Sequence, residues 1–272
     1  MKRGLKAWPE RDMDFPLSEW LNLLVRWFHI FAGILWIGST WYFVWLDKAL
    51  HAVPGQGVTM VHSGGFYSVG KLKDPKVDPS QIHWFRFETL FTWLSGLCLL
   101  GIVYYWGGLL VDGALPEGQA MAAGVASLVV AWFVYDTIWI LPLPSAAAAA
   151  LCYALLVGAA YFLCWALGGR AAFIHLGAMM GTCMTLNVWR RILPNQKKLV
   201  AQLAAGQTPD AALAAQAKAR STHNTFMILP VVMTMISNHY PTATYGSDKN
   251  WLVFAVLMLL GMGAAKLVKA SL

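Results

Sequence analysis

The sequence predicts an all-α membrane protein, a polytopic bundle of about seven transmembrane helices with its N-terminus outside and its C-terminus inside. Three observations predict it. Of 272 residues, 58% are hydrophobic and only 12% charged, whereas about a quarter of an ordinary soluble domain is charged. The apolar residues come in blocks of about 17 to 25, the length a helix needs to cross a hydrocarbon layer. Lys and Arg collect in alternate connecting segments. A soluble helical bundle is disfavoured because its helices would need charged outer faces, which are missing. The first block runs on into helix after helix, unlike a cleaved signal peptide.

The blocks place spans at 19–46, 82–107, 119–141, 145–167, 171–192, 222–240 and 250–269 of a single membrane domain, 1–272. The first contains "RWFHIFAGILWIG", where Arg26 and His29 sit in an apolar run; an ionisable group among lipid tails is costly unless it is paired or ligated, so it points to function. The second opens on "IHWFRFE". The third carries a further buried-charge anomaly, Asp136, and ends at "LPLPS", where Pro142 and Pro144 stop one helix and Ser145 can cap the next. After the fifth, "GQTPDAALAAQAKAR" reads as a helix that runs into the sixth span, with Thr208 as cap, Pro209 first and Asp210 in the first turn. Pro230 bends that sixth span.

Orientation follows from the tendency of basic loops to stay in the cytoplasm. Arg190, Arg191, Lys197, Lys198, Lys218 and Arg220 fall in one loop, and Lys71, Lys73 and Lys76 in another on the same side. The opposite loop, "GGLLVDGALPEGQ", has Asp112 and Glu117 and no Lys or Arg. Lys266 and Lys269 agree; Lys2, Arg3, Lys6 and Arg11 disagree but are diluted by Glu10, Asp12, Asp14 and Glu19. These loops account for the net charge of +7, so no nucleic acid is implied.

On this topology the histidines form two groups. His29, His175 and His239 lie toward the outer side, and His83 and His223 toward the inner. A b-type haem takes one imidazole from each face while lying between helices. Non-covalent haem b, two groups in all, is the expectation, with His29 and His175 as the leading outer pair, His83 and His223 as the inner pair, and His239 as an alternative outer ligand. The competing reading is a hydrogen-bonded core histidine. His29, Gly33, Trp36 and Thr40 share one helical face, which serves a flat ring or plain helix packing. His175, Met179 and Thr182 share another. His51 and His62 are loop residues and earn no assignment from position. The inner half also gathers Glu88, Thr92 and Ser95 on one face, and Asp136. Arg86 could neutralise Glu88, Asp136 or a propionate, and proton transfer stands beside a structural ion pair. Cys98, Cys152, Cys164 and Cys183 show neither CxxC nor CxxCH spacing, which argues against iron–sulfur, structural zinc and covalent c-type haem sites. A channel filter and a transporter with inverted repeats have no signature here.

At these residues the sequence resembles a known family. "RWFHIFAGILWIGSTWYFVWLD", "HSGGFYSVGK", "IHWFRFETLFTWLSG" and "NTFMILPVVMTMISNHYP" are similar, in order, to the membrane domain of the bacterial cytochrome c-linked urate oxidases. The likeness runs from about Leu21 to Trp251. It implies a bacterial inner-membrane enzyme that oxidises urate to 5-hydroxyisourate and delivers electrons to a cytochrome c. The family's motif histidines match His29, His62, His83, His175, His223 and His239. Arg86 and Glu88 come with "HWFRFE" and Asn238 with "SNHYP"; with His62 and Asp136 they are the candidate catalytic residues. Many members continue into a cytochrome c domain with a CxxCH site, and this sequence has none. The expectation is therefore a separate cytochrome c or another membrane subunit as electron acceptor. A haem b electron-transfer subunit serving another donor is the alternative, and a transporter a distant third.

Overall fold

Long runs of apolar residues with few interruptions give long helices, and the computed structural model, which describes residues 17–72, 78–110 and 113–272, is an all-α polytopic bundle with one small β-hairpin. The charged stretch before residue 17, and Lys73, Lys76 and Asp112, lie outside the described residues. Helix α1 is Leu17–Ala52. Helix α2, Phe87–Leu99, continues through a π-helical segment, Leu100–Trp106. Next come α3 (Glu117–Ile138), α4 (Ser145–Leu167) and α5 (Gly169–Leu186). A second π-helical segment, Asn187–Ile192, leads into α6 (Leu193–Ala204); α7 (Ala211–Ile236) and α8 (Asn250–Ser271) complete the chain. Six helical runs among the described residues are long and apolar enough to cross a membrane: Leu17–Ala52, Phe87–Trp106, Glu117–Ile138, Ser145–Leu167, Gly169–Ala204 and Asn250–Ser271. Helix α7 is equally long, but its first turns are the polar stretch that the sequence reads as an extension of the sixth span.

Helix α5 is the core. Across the apolar stretch of the run Gly169–Ala204 that it opens, 83% of residues are buried, against 6% for α1, and α5 packs on α2, α3, α4 and α7. Small residues allow this. A Cβ at Gly177 would collide with Thr234 Oγ1 of α7, so glycine there sets how closely α5 and α7 approach. Gly261 of α8 similarly leaves room for the Pro230 ring. Helix α1 lies at the edge, packed mainly on α2, and exposes Leu24, Trp27, Phe31 and Ile34, as a lipid-facing helix should.

Three local expectations change. Asp210, not Thr208, caps α7: its carboxylate accepts from the Ala212 N–H at 2.7 Å. Ser145 is the first residue of α4 and caps nothing; the Pro144 carbonyl takes the Ala148 N–H at 3.0 Å. The stretch around His62 is a hairpin, β1 (Val58–His62) paired antiparallel with β2 (Gly65–Val69). Ser63 and Gly64 between them have φ of 49° and 77°, the left-handed pair of a two-residue hairpin turn. Just before α2, Asp78 accepts from the Ser80 N–H and hydroxyl at 2.9 and 2.7 Å, which holds its carboxyl below the usual range.

Ion pairs tie one end of the bundle together. Asp47 near the end of α1 meets Lys71 at 2.7 Å and Lys218 of α7 at 3.5 Å, and Lys48 donates to the Ala270 carbonyl at 2.8 Å. The basic loops therefore share one end. These exposed pairs each contribute at most about 1 kcal/mol.

Candidate functional site

Polar side chains that an apolar helix carries inward must find partners, because none can be supplied by lipid. Two clusters at different levels of the bundle result. At the end where α5 begins, His175 is fully buried. Its Nδ1 lies 2.8 Å from the Ala171 carbonyl one turn earlier, and a carbonyl only accepts, so Nδ1 carries the proton. The Nε2 lone pair then accepts from the Tyr105 hydroxyl at 3.0 Å. A Cβ at Gly124 of α3 would lie 2.9 Å from Nε2 and collide with that hydroxyl; glycine leaves the space in front of the imidazole to the Tyr105 hydroxyl. Nearby, Asn238 bonds Tyr104, its amide donating to the hydroxyl at 3.2 Å, and its Oδ1 accepts from Arg170 Nε at 3.3 Å. The edge of Tyr104 meets the His175 ring.

His29 on α1 points at α2. Its Nδ1 lies 3.0 Å from both the Thr92 carbonyl and Ser95 Oγ, while the Ser95 hydroxyl is directed to the Phe91 carbonyl at 2.6 Å. Nδ1 again carries the proton and Nε2 the lone pair. The sequence puts His29 and His175 in one layer, but they meet the α2 segment at Thr92–Ser95 and at Tyr105 respectively. At about 1.5 Å per residue that is a difference of roughly 15–20 Å along α2. The cause is that α1 is 36 residues long against 20 for the α2 run, so counting from its start misjudges depth. Gly33 of the same face packs on Thr92, and Arg26 bonds Asn22 one turn away at 3.0 Å.

The second cluster lies toward the basic end. Asp136 of α3 is clamped by Arg191 and by Arg220, whose NH2 lies 2.9 Å from Oδ1. The sequence offers Arg86 as a partner for Asp136; the structure supplies these two arginines, which sequence counting treats only as loop charge. Arg220 fixes the direction of every bond beyond it. Guanidinium only donates, so Asn187 Oδ1 accepts from it at 3.4 Å. Asn187 Nδ2 then donates to the Tyr135 hydroxyl and to Asn224 Oδ1, both at 2.9 Å, and Asn224 donates to the Met184 carbonyl. Having accepted, Tyr135 gives its own proton to His223 Nδ1 at 2.8 Å. His223 is thus the opposite tautomer, with Nε2 as an N–H donor.

The remaining predicted residues are not drawn into either cluster. His62 ends β1 and is exposed. His83 is exposed and meets the Phe85 ring edge-on. His239 is exposed beyond the end of α7. Among the described residues no hydrogen bond or ion pair joins His62, Arg86 and Glu88. Arg86 stacks over Phe87, and its buried Nε has no hydrogen-bond partner among the described residues. It immediately precedes α2, whose N-terminus has no side-chain cap. Sequence reading missed Tyr104, Tyr105, Tyr135, Arg170, Asn187, Arg191, Arg220 and Asn224. One signal was available: Arg220, His223 and Asn224 stand at helical spacing on one face.

No group of three or more His, Cys, Asp or Glu that could hold a metal ion occurs among the described residues; a haem iron asks for only one or two axial side chains. Helices of membrane-crossing length around a hydrogen-bonded polar interior define the class, a polytopic membrane protein with an internally wired bundle. The chain belongs to the urate oxidase N-terminal family, whose model matches residues 16–270. No curated protein and no solved structure matches it.

Proposed function

We propose that the protein is a membrane-bound, haem-bearing urate oxidase that converts urate to 5-hydroxyisourate and passes the electrons to a cytochrome c or another electron-transfer subunit. The family match over residues 16–270 carries this reading. In it α7 joins the six apolar runs as a seventh crossing of a bacterial inner membrane, and the basic end faces the cytoplasm. The N-terminus is then outside and the C-terminus inside.

His29 and His175 fit haem. Each gives its Nδ1–H to a backbone carbonyl and keeps a lone pair on Nε2, the tautomer that a metal-ligating histidine adopts. Gly124 leaves room before Nε2 of His175 that the Tyr105 hydroxyl fills, and a haem iron would take that hydroxyl's place. Standing at different depths, the two suit two separate haems. The haem would be non-covalent b-type, since the sequence has no CxxCH, and when bound it supplies a one-electron acceptor. His223 fits less well, because its Nε2 carries a proton while Tyr135 holds Nδ1. His83 and His239 remain the inner and outer alternatives.

Oxidation of urate with one water releases two electrons and two protons. The chain's part is to hold an aromatic anion and accept a proton. Arg86 supports the first role, with an unpartnered buried Nε beside an uncapped helix N-terminus, where negative charge is favoured. Glu88, in the first turn of α2, is the proposed proton acceptor. His62 and Asn238 are further candidates carried by the family motifs. Asp136 serves as the counter-ion of Arg191 and Arg220 rather than as a base. Anaerobic addition of urate to the purified protein should bring up reduced-haem bands. Glu88→Gln should slow this about a hundredfold with haem content unchanged. Bands that answer to reduced cytochrome c but never to urate would instead favour the electron-transfer subunit.

A further inference from the structure

A cavity of about 930 Å³ lies between α3, α4, α5, α7 and α8, within the size range of small-molecule sites. Almost all of its wall is apolar, from Ala126, Val130, Leu156, Met180 and Met258 among others. Polar groups gather where Tyr135, Trp139, Thr222 and His223 line it. A smaller cavity of about 370 Å³ shares Trp139, Ser145, Thr222 and His223 and extends to Lys218 at the basic end. The large cavity is therefore a greasy channel with a polar head.

The chemistry of that head is one-sided. Trp139 Nε1 is buried, and among the described residues the only acceptor it meets is the Cys152 thiol, a weak one. A buried N–H left with so poor an acceptor is costly. His223 Nε2–H, in the tautomer fixed by Tyr135 and Asn187, is a second donor beside it, the two ring centroids being 3.9 Å apart. Two donors at the end of an apolar channel call for a neutral acceptor on an apolar chain. A carboxylate or phosphate head would have to leave water for a largely apolar wall. A bare hydrocarbon chain would offer neither donor an oxygen.

We infer that this cavity binds a lipid-soluble quinone, with its tail along the α3, α4 and α8 walls and a ring carbonyl accepting from Trp139 Nε1–H and His223 Nε2–H. The inference concerns binding alone and stands apart from the urate reading. It is tested on the full chain in nanodiscs, titrated with a decyl-tailed benzoquinone and, in parallel, with decylbenzene, which has the tail and ring without the carbonyls. The quinone should bind saturably at one per chain and decylbenzene at least tenfold more weakly. Trp139→Phe and His223→Phe should each weaken the quinone about tenfold, the loss of roughly one buried hydrogen bond. Ala149→Trp, at an exposed wall position whose side chain makes no hydrogen bond, should abolish binding by filling the channel without disturbing the fold. Equal affinity for the two ligands, no effect of Trp139→Phe, or quinone binding that survives Ala149→Trp would overturn the assignment and leave a groove for lipid tails. Absence of saturable quinone binding would overturn it outright.

Discussion

The two polar clusters use the same side chains, histidine beside tyrosine with arginine and asparagine behind, yet their hydrogen bonds run in opposite directions. Around His175 a backbone carbonyl claims Nδ1–H, so Nε2 is left to accept from Tyr105 or to ligate. Around His223 the direction is set by Arg220 and passed through Asn187 and Tyr135, so Nε2 is left to donate. Depth in an apolar helix does not decide what a buried histidine does; the group that claims its other nitrogen does.

The largest test of this contrast is Arg220→Met. It leaves Asp136 with one partner, Arg191, and Asn187 Oδ1 without its donor, and should cost about 3–5 kcal/mol as for a broken buried pair. Thermal unfolding in detergent would measure it, and adding Asp136→Asn should recover much of the loss. Gly177→Ala comes next: its methyl has to displace Thr234 Oγ1, an overpacking cost of about 1–3 kcal/mol. Tyr135→Phe should cost about 1–3 kcal/mol, because Asn187 and His223 each lose a buried partner. Tyr105→Phe removes a single bond, to His175, and should cost about 1 kcal/mol; equal losses for the two tyrosines would erase the distinction between the clusters. Smallest is Arg191→Ala, at a side chain 39% exposed, at roughly 1 kcal/mol or less once solvent screening is counted.

The long helices were legible in the sequence because block length and proline punctuation are local: the chain turns at "LPLPS" as read, and α7 begins beside Asp210. The hairpin at Val58–Val69 was not, since windows long enough to find a crossing average away two five-residue strands. Individual polar anomalies, His29, His175, His223 and Asp136, were also visible one by one. Their partners were not, because Arg191 and Arg220 sit in what reads as a basic loop, and only the π-helical turn and the α7 approach bring them to Asp136. Depth failed for a related reason. Helix α1 is 36 residues long and the α2 run only 20, so a count along one helix cannot give the level of its neighbour.

Under the proposed function, His29 and His175 offer Nε2 to haem while His223 does not. A pyridine haemochrome assay of haem per chain tests this in the wild type and in His29→Ala, His175→Ala, His223→Gln and His51→Ala. The predicted result is non-covalent haem b in the wild type, a fraction of it lost in each of the first two variants, and full content in the last two. No haem in the wild type, or haem kept by His29→Ala and His175→Ala but lost in His223→Gln, would contradict it.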